Sequence, residues 1–433
     1  MKAILPILLL MHANAWAQDT LFTADLHLMT RGEIRNGGMT YKNTDEQQDS
    51  KSAFILDRVR LSLGYQRNWL EAKAAVQHVG TWGHEGSSNV NVYEAWGKVK
   101  ASFGLFAQIG RLALRYDDER IIGSDDWVMA SMTHDALRLG YEGYGHKVHG
   151  ILCYNQNMRA TSSPGSYYAD GSRPYKTMQT LWYHYDVPKV PLGISLLMMN
   201  IGMQAGVPGG TYENAPHTEW QTVLGGYVKC TPRYFSIEGS YYRQTGRDER
   251  TAKLDAWMAS AKVVYIPNKT WAIKAGYDHL SGDDYVAVVK PGGLGMPLHE
   301  VCKGFNPVYG SHHKFYGAMD FFYLSTYVNG FTPGLQNAYI GAFYEPIKQL
   351  SLKVNYHYLA TGTKLNGLSS TLGHEIEVEA AYMPARDIRI AAGYSYMTGT
   401  ETMEKLKRAT GDGNLRWAWL SLNVMPRLFS AKW

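Results

Sequence analysis

Residues 54–66 read FILDRVRLSLGYQ. Along an extended chain, successive side chains point to opposite faces. Val59, Leu61, Leu63 and Tyr65 therefore share one face, and Arg58, Arg60, Ser62, Gly64 and Gln66 share the other. A soluble sandwich rarely sets two guanidinium groups into a buried strand face, and a solvated strand has no use for the apolar row. A wall with lipid on one side and water on the other satisfies both. At a bilayer midplane each Arg costs about 2–4 kcal/mol, so the pair fixes which way this strand faces.

The same alternation recurs along the chain. A first strand lies near Leu21–Met29, followed by 54–66, 70–77, 92–99, 104–112, 136–141, 147–154, 180–187, 191–202, 222–229, 234–242, 256–265, 271–280, 338–344, 350–359, 375–382, 388–397 and 415–424. Two kinds of connection alternate between them. Short turns are rich in Pro, Asn and Lys; long polar stretches span 30–53, 83–90, 115–134, 156–175, 207–218, 244–253, 281–334, 361–373 and 398–413. Eighteen strands with short turns at one end and long loops at the other define an all-β fold, a transmembrane antiparallel β-barrel with short periplasmic turns and long extracellular loops. Tilted strands of ~9–11 residues are long enough to cross the hydrocarbon layer.

The remaining composition agrees. MKAILPILLLMHANAWAQD has a basic start, a short apolar core and an Ala-Trp-Ala end, which reads as a signal peptide over 1–17. Residues 18–433 then form one exported barrel domain, placed in the outer membrane of a Gram-negative bacterium. No later run reaches the ~18 apolar residues of a membrane helix. Three cysteines, 153, 230 and 302, are too few and too scattered for a disulfide or zinc framework. A net charge of +5 with interspersed signs argues against nucleic acid. Thirty-one Tyr and 12 Trp against 12 Phe suit rings with one wet edge and one apolar edge, as at a membrane interface.

A barrel this wide encloses water. Strand parity then assigns a lumen wall: Arg58 and Arg60; Glu71 and Lys73 on the following strand; Lys262; Lys274 and Asp278; Lys353, Asn355 and His357; Glu375, Glu377 and Glu379; and Arg389. Hairpin neighbours are expected to bring Arg beside Glu and Lys, and the triple-Glu row beside Lys and Arg. Such ladders pass polar solutes through a transverse field, and as wall ion pairs they also hold register. Two long loops are candidates for a constriction. YDDERIIGSDDW (116–127) gathers Asp117, Asp118, Glu119, Arg120, Asp125 and Asp126; its alternative is a solvated outer loop meeting cations and lipopolysaccharide. GFNPVYGSHHKFYGAMDFFY (304–323) is too apolar to dangle in water and should bury Phe305, Tyr309, Phe315, Tyr316, Phe321, Phe322 and Tyr323 in the barrel mouth. His312, His313 and Lys314 lie within it. Adjacent His residues point apart and no third ligand stands at metal spacing, so neither metal nor cofactor is expected.

DRVRLSLGY, VQHVGTWG, YEAWGKV, IGRLALRYDDERIIGSDDW, HDALRLGY and FNPVYGSHHKFYGAMDFFY resemble the alginate-export-like family of outer-membrane porins, with the most distinctive blocks at 109–127 and 304–323. The resemblance implies a monomeric eighteen-stranded barrel for passive diffusion of a polar or anionic solute, with Arg58, Arg60, Arg111 and Arg138 at matching basic positions. Glu375, Glu377 and Glu379 depart from a purely anion-selective lumen. Outer-membrane lipid, lipopolysaccharide and the barrel-assembly machinery are the expected partners, the last because the chain ends on an aromatic residue. The expected function is a porin for polar or anionic small solutes or oligosaccharides, narrowed by loops 115–134 and 281–334. The alternative is a loop-plugged structural or adhesin barrel. No G-x-S-x-G occurs and Ser, His and Asp are scattered, so no enzyme is expected.

Overall fold

The computed structural model describes residues 20–36, 51–84, 86, 88–155, 175–206, 216–248, 251–284, 301–324, 332–407 and 414–433. The signal-peptide reading over 1–17 lies outside them. The wall strands are β1 Leu21–Asn36, β2 Lys51–Gln66, β3 Leu70–Thr81, β4 Asn89–Lys100, β5 Leu105–Leu112, β6 His134–Gly143, β7 His146–Tyr154, β8 Thr177–Asp186 and β9 Leu192–Ala205. They continue as β10 His217–Cys230, β11 Phe235–Arg247, β12 Lys253–Tyr265, β13 Trp271–Leu280, β14 Leu335–Ile347, β15 Leu350–Ala360, β16 Thr371–Ala385, β17 Ile388–Gly399 and β18 Asn414–Val424. Each pairs antiparallel with its sequence neighbours, and β1 pairs with β18 as well as with β2, which closes an eighteen-stranded barrel. Residues Val301–Cys302 add a short parallel pairing inside the long loop, against Lys253 and Leu254.

Several strands run further than their alternation suggested. β1 continues to Asn36 and pairs with β2 without a break from Leu21↔Gln66 to Asn36↔Lys51. The last strand is interrupted after Val424 and resumes as Arg427–Lys432, both parts pairing with β1. Pro426 sits at this irregularity, where a residue without an N–H is tolerated. Its carbonyl still accepts the N–H of Leu26, and Thr20 and Trp433 exchange two backbone hydrogen bonds at the seam's end.

The two faces separate as the alternation requires. Val59, Leu61 and Leu63 are 38, 43 and 40% exposed on the outer surface, whereas Arg58 on the inner face is 1% exposed. A bulge in β4 sets Ala75 opposite Glu94 and Val76 opposite Val92, so that Tyr93 and Glu94, though consecutive, are both buried inside. Inward-facing glycines make room for large neighbours across the ladder. Gly276 faces Tyr339, whose hydroxyl would lie 2.3 Å from a Cβ there, and Gly341 faces Lys274, whose Cε would lie at 2.7 Å. The long side chains thus lie along the wall instead of filling the lumen. The two-residue turn Tyr144-Gly145 has φ of 53° and 81°, as a hairpin of the primed type requires.

Leu61→Arg should cost about 2–4 kcal/mol in folding into lipid vesicles, because it turns a guanidinium toward hydrocarbon. Ser62→Arg, one residue along on the wet face, should fold nearly as the parent does. Urea titration followed by tryptophan fluorescence reads both, and equal losses would contradict the assignment of faces.

Candidate functional site

The inner wall is a set of short ion-paired ladders. Lys73 pairs with Glu94 at 2.5 Å, Lys100 with Glu71 at 2.6 Å, and Lys262 with Glu238 at 2.7 Å. Glu379 takes both Lys353 at 3.2 Å and Arg389 at 2.8 Å. Arg138 bonds to Gln108 and to the Tyr116 hydroxyl, the latter at 3.3 Å. Lys274 lies over Tyr339, its ammonium 5.7 Å from the ring centre.

Residues 115–134 and 301–322 fold into this lumen and meet each other. Ile122 and Tyr309 form a parallel β-bridge; Gly123 N–H donates to Tyr309 O at 2.8 Å and Tyr309 N–H to Ile121 O at 3.1 Å. Ser311 N–H donates to Glu119 O, the Ser311 hydroxyl donates to Glu119 Oε2, and Lys314 reaches Glu119 Oε1 at 2.6 Å. Phe305, Tyr309, Tyr316, Phe321 and Phe322 are buried in the same core as Ile121 and Ile122. The Tyr323 side chain lies outside the described residues.

Charged side chains tie this bridge to the wall. Asp126 accepts from Arg58 at 3.1 Å and Arg60 at 3.3 Å, and Ser131 accepts from both. Arg31 donates to Trp127 O and Gln77 to Ala130 O. Four strands along the wall, on β16, Glu375 accepts the Met319 N–H at 2.9 Å and Glu377 the Ala318 N–H at 2.5 Å. Gly317 is needed beside them: its φ is +92°, and a Cβ would lie 2.3 Å from Glu375 Oε2. At the centre, buried Arg120 holds Asp278 at 3.0 Å, Asp118 at 3.2 Å and the Tyr316 hydroxyl at 3.0 Å, over the ring of Phe315. His313 donates to Asp320 at 2.8 Å and stacks on Trp127, and Asp117 accepts from the indole of Trp182. His312 is kept neutral, its pKa lowered by burial to about 4.

These loops are conformationally strained. Of the twelve non-glycine residues with positive φ among the described residues, seven lie in them: Asp117, Glu119, Asp125, Ser131, Val308, Tyr316 and Asp320. Each such residue costs of order 1–3 kcal/mol and persists only where its surroundings over-determine it. The Glu119–Lys314 and Arg120–Asp278 ion pairs and the backbone bonds between the two loops supply that determination. A third segment, the helix Glu401–Lys407 (α1), packs Met403 and Leu406 into the same core, and its buried Lys407 donates to Phe321 O at 3.2 Å.

Three expectations are corrected. Arg58 and Arg60 face inward but do not line open water, because loop 115–134 covers them. Nor do they sit beside Glu71 and Lys73: the register sets Arg60 opposite Gln77, and Glu71 and Lys73 opposite Gln66 and Gly64. Arg111 is not in the lumen. It shares its face with Leu105 and Ile109 and forms a bidentate pair with Asp135, both bonds 2.8 Å, on the outer surface. Its parity with Ile109 is legible in the sequence; the family resemblance had placed it inside. Residues not anticipated are Arg31, Glu33 and Arg35, which lay in what was read as the start of a loop although RGEIRN keeps the strand alternation. Arg115, exposed and bonded to Ser124, carried no separate signal.

No described protein family matches the chain, and no curated protein matches it in sequence. The fold has many structural counterparts. Pseudomonas aeruginosa OccK10 (OpdN) superposes with a TM-score of 0.59 at 13% identity, over 94% of this chain and 99% of that one. OccK9 (OpdG) of the same organism gives 0.61 at 12%, over 94% and 98%. OccK2 (OpdF) in complex with glucuronate gives 0.59 at 13%, over 94% and 98%.

Replacing Asp126 by Ala should loosen loop 115–134. Charge-assisted bonds are worth about 1.5–3 kcal/mol when fully buried, and the partial exposure of Asp126 reduces the loss to about 1–2 kcal/mol in total. Noisier and larger single-channel currents are expected; currents unchanged in size and noise would mean the clamp does not hold the loop.

The bridge should also respond to pH. Burial raises the Asp125 carboxyl to about 6, opposed by His313 and Lys314 and reinforced by Asp320 and Glu119. A raised acid pKa favours the docked loop once the group is protonated, so docking strengthens as pH falls through 6. Glu119 is held below its ordinary value by Lys314 and Ser311 against its own burial, so its contribution is lost only below that range. Between pH 7 and 5 the conductance should therefore fall, and Asp125→Asn should flatten the dependence; a slope that survives in that variant would assign it elsewhere.

Proposed function

We propose that the protein is an outer-membrane porin that lets small polar or anionic solutes diffuse passively, with loops 115–134 and 281–334 setting the width of the path. The observation that carries this reading is a closed wall, apolar outside, with ion-paired ladders along part of its inside and an apolar inner face elsewhere against which the lumen loops pack. Cavities of about 310 and 420 Å³ open on the short-turn side of the bridge, beside Lys73 and Trp96 on one wall and Lys147 and Lys229 on the other. The bound glucuronate of OccK2 (OpdF) is a small polyhydroxylated anion, and it makes sugar acids the first solutes to try.

The alginate-export-like motif blocks at 109–127 and 304–323 largely coincide with the two segments that meet in the lumen. We read that resemblance as shared loop architecture, and the carboxylates of β16 argue against a long polyanion as cargo. Lipopolysaccharide around the long-loop rim, delivery by the barrel-assembly machinery and a monomeric state belong to the same reading. No catalytic step is assigned.

Planar-bilayer recording tests it directly. Stable current steps are expected; silence from correctly folded protein would favour the plugged-barrel alternative, for which the aromatic core of 304–322 is the specific support. Lys274 is the residue with which to probe selectivity, because among the described residues no carboxylate forms an ion pair with it. Lys274→Glu should move the reversal potential toward cations, and an unchanged potential would take Lys274 out of the ion path.

A further inference from the structure

On the long-loop side of the bridge lies a cavity of about 380 Å³ between the inner face of β1–β3 and loop residues 127–130 and 318–320. Its chemistry is uneven. Phe54, Leu56, Val79 and Val128 give it an apolar side. At one end Arg31 and Arg35 share the single carboxylate of Glu33, with Arg31 Nε 2.8 Å from Oε1 and Arg35 Nε 2.9 Å from Oε2. Glu33 Oε2 also accepts the Trp417 indole N–H at 3.0 Å, so this carboxylate is saturated and the trio holds one positive charge in excess. Asp320 also lines the cavity. Its Oδ2 accepts from His313, but its Oδ1 is buried without a hydrogen-bond partner among the described residues. A buried carboxylate oxygen left unpaired costs about 1–3 kcal/mol or more, which a donor from a ligand would recover.

We propose that this cavity binds a free α-amino acid with an apolar side chain. The ligand's carboxylate meets the excess guanidinium charge at Arg35, its ammonium supplies donors to Asp320 Oδ1, and its side chain covers Phe54, Leu56 and Val79. A simple carboxylate would leave the Asp320 oxygen unpaired, and a simple amine would leave the guanidinium charge uncompensated. A sugar would set hydroxyls against the apolar side. The cavity is large enough for phenylalanine. Its role as a capture station rests on the porin reading; binding itself requires no open path.

Calorimetric titration of the full-length, detergent-folded protein tests this with L-phenylalanine, 3-phenylpropanoate, phenethylamine and glucose. Saturable binding of L-phenylalanine is expected, with each analogue at least about tenfold weaker, as the loss of one charge-assisted bond implies. Asp320→Asn should weaken L-phenylalanine by a similar factor while leaving 3-phenylpropanoate unchanged or tighter. Should that variant fail to fold, Val79→Trp fills the cavity without touching a charge and should abolish binding. The proposal falls if 3-phenylpropanoate, phenethylamine or glucose binds as tightly as L-phenylalanine, if none binds saturably, or if Val79→Trp binds like the parent. Conductance of the same preparation separates the two readings: current without binding removes the amino-acid site and leaves the porin, and binding without current does the reverse.

Discussion

In hydrocarbon there is no water to satisfy a backbone N–H or C=O, and each one left bare costs several kcal/mol. A sheet can meet that condition only by having no edge. Everything else in this molecule follows from the pairing of β1 with β18, which removes the last edge. Once the wall is closed, its outward side chains must suit lipid and its inward ones water, and the period of two becomes obligatory along every strand. The outward polar pairs mark where that requirement relaxes. Arg111 with Asp135, Arg243 with Asp255 and His78 with Asp57 all face out near the long-loop ends of their strands, above the rows of Val, Leu and Ile.

Inside, the same charges have a second use. The wall holds its loops in two ways, because its inner face is apolar along part of the ring, at Ile151, Met199 and Val223, and charged along the rest. Asp126 on Arg58 and Arg60 of β2, and Ala318 and Met319 on Glu377 and Glu375 of β16, give the two loops fixed points four strands apart on the wall. The apolar residues of the loops pack on one another and on inward wall residues such as Ile151, Met199, Val223 and Trp417. Arg120 joins the layers, reaching Asp278 on the wall and Tyr316 on the partner loop from one guanidinium. Backbone strain at Asp117, Glu119 and Val308 is tolerated because these contacts come from several directions at once.

The strands were legible because alternation is a local property, repeated eighteen times and punctuated by turns. The placing of the aromatic loop was legible from composition, since Phe305, Tyr309 and Tyr316 had to leave water. The partners of Arg58 and Arg60 were not, because Asp126 lies 66 to 68 residues away and nothing local encodes where a folded-in loop will land. Register was equally hidden. Glu71 and Lys73 follow Arg60 closely in sequence, yet the hairpin carries them toward the other end of the barrel. Arg111 shows the opposite case, in which local parity was sounder than family likeness.

The seam has a kinetic meaning as well. His27 and Asn423, bonded across it at 3.2 Å, are 396 residues apart in sequence, and every other strand must be laid down before they can meet. Loop-closure entropy has to be overcome before such a contact gives anything in return, which makes folds of this kind slow and prone to aggregate on the way. Until the ends join, the nascent sheet carries two bare margins, each a row of unpaired main-chain groups. The break at Pro426 shortens the run of main-chain bonds available to the final zippering step. The stretch beyond Pro426 then completes the seam, pairing Arg427–Lys432 against Leu21–Asp25 at the very start of the wall.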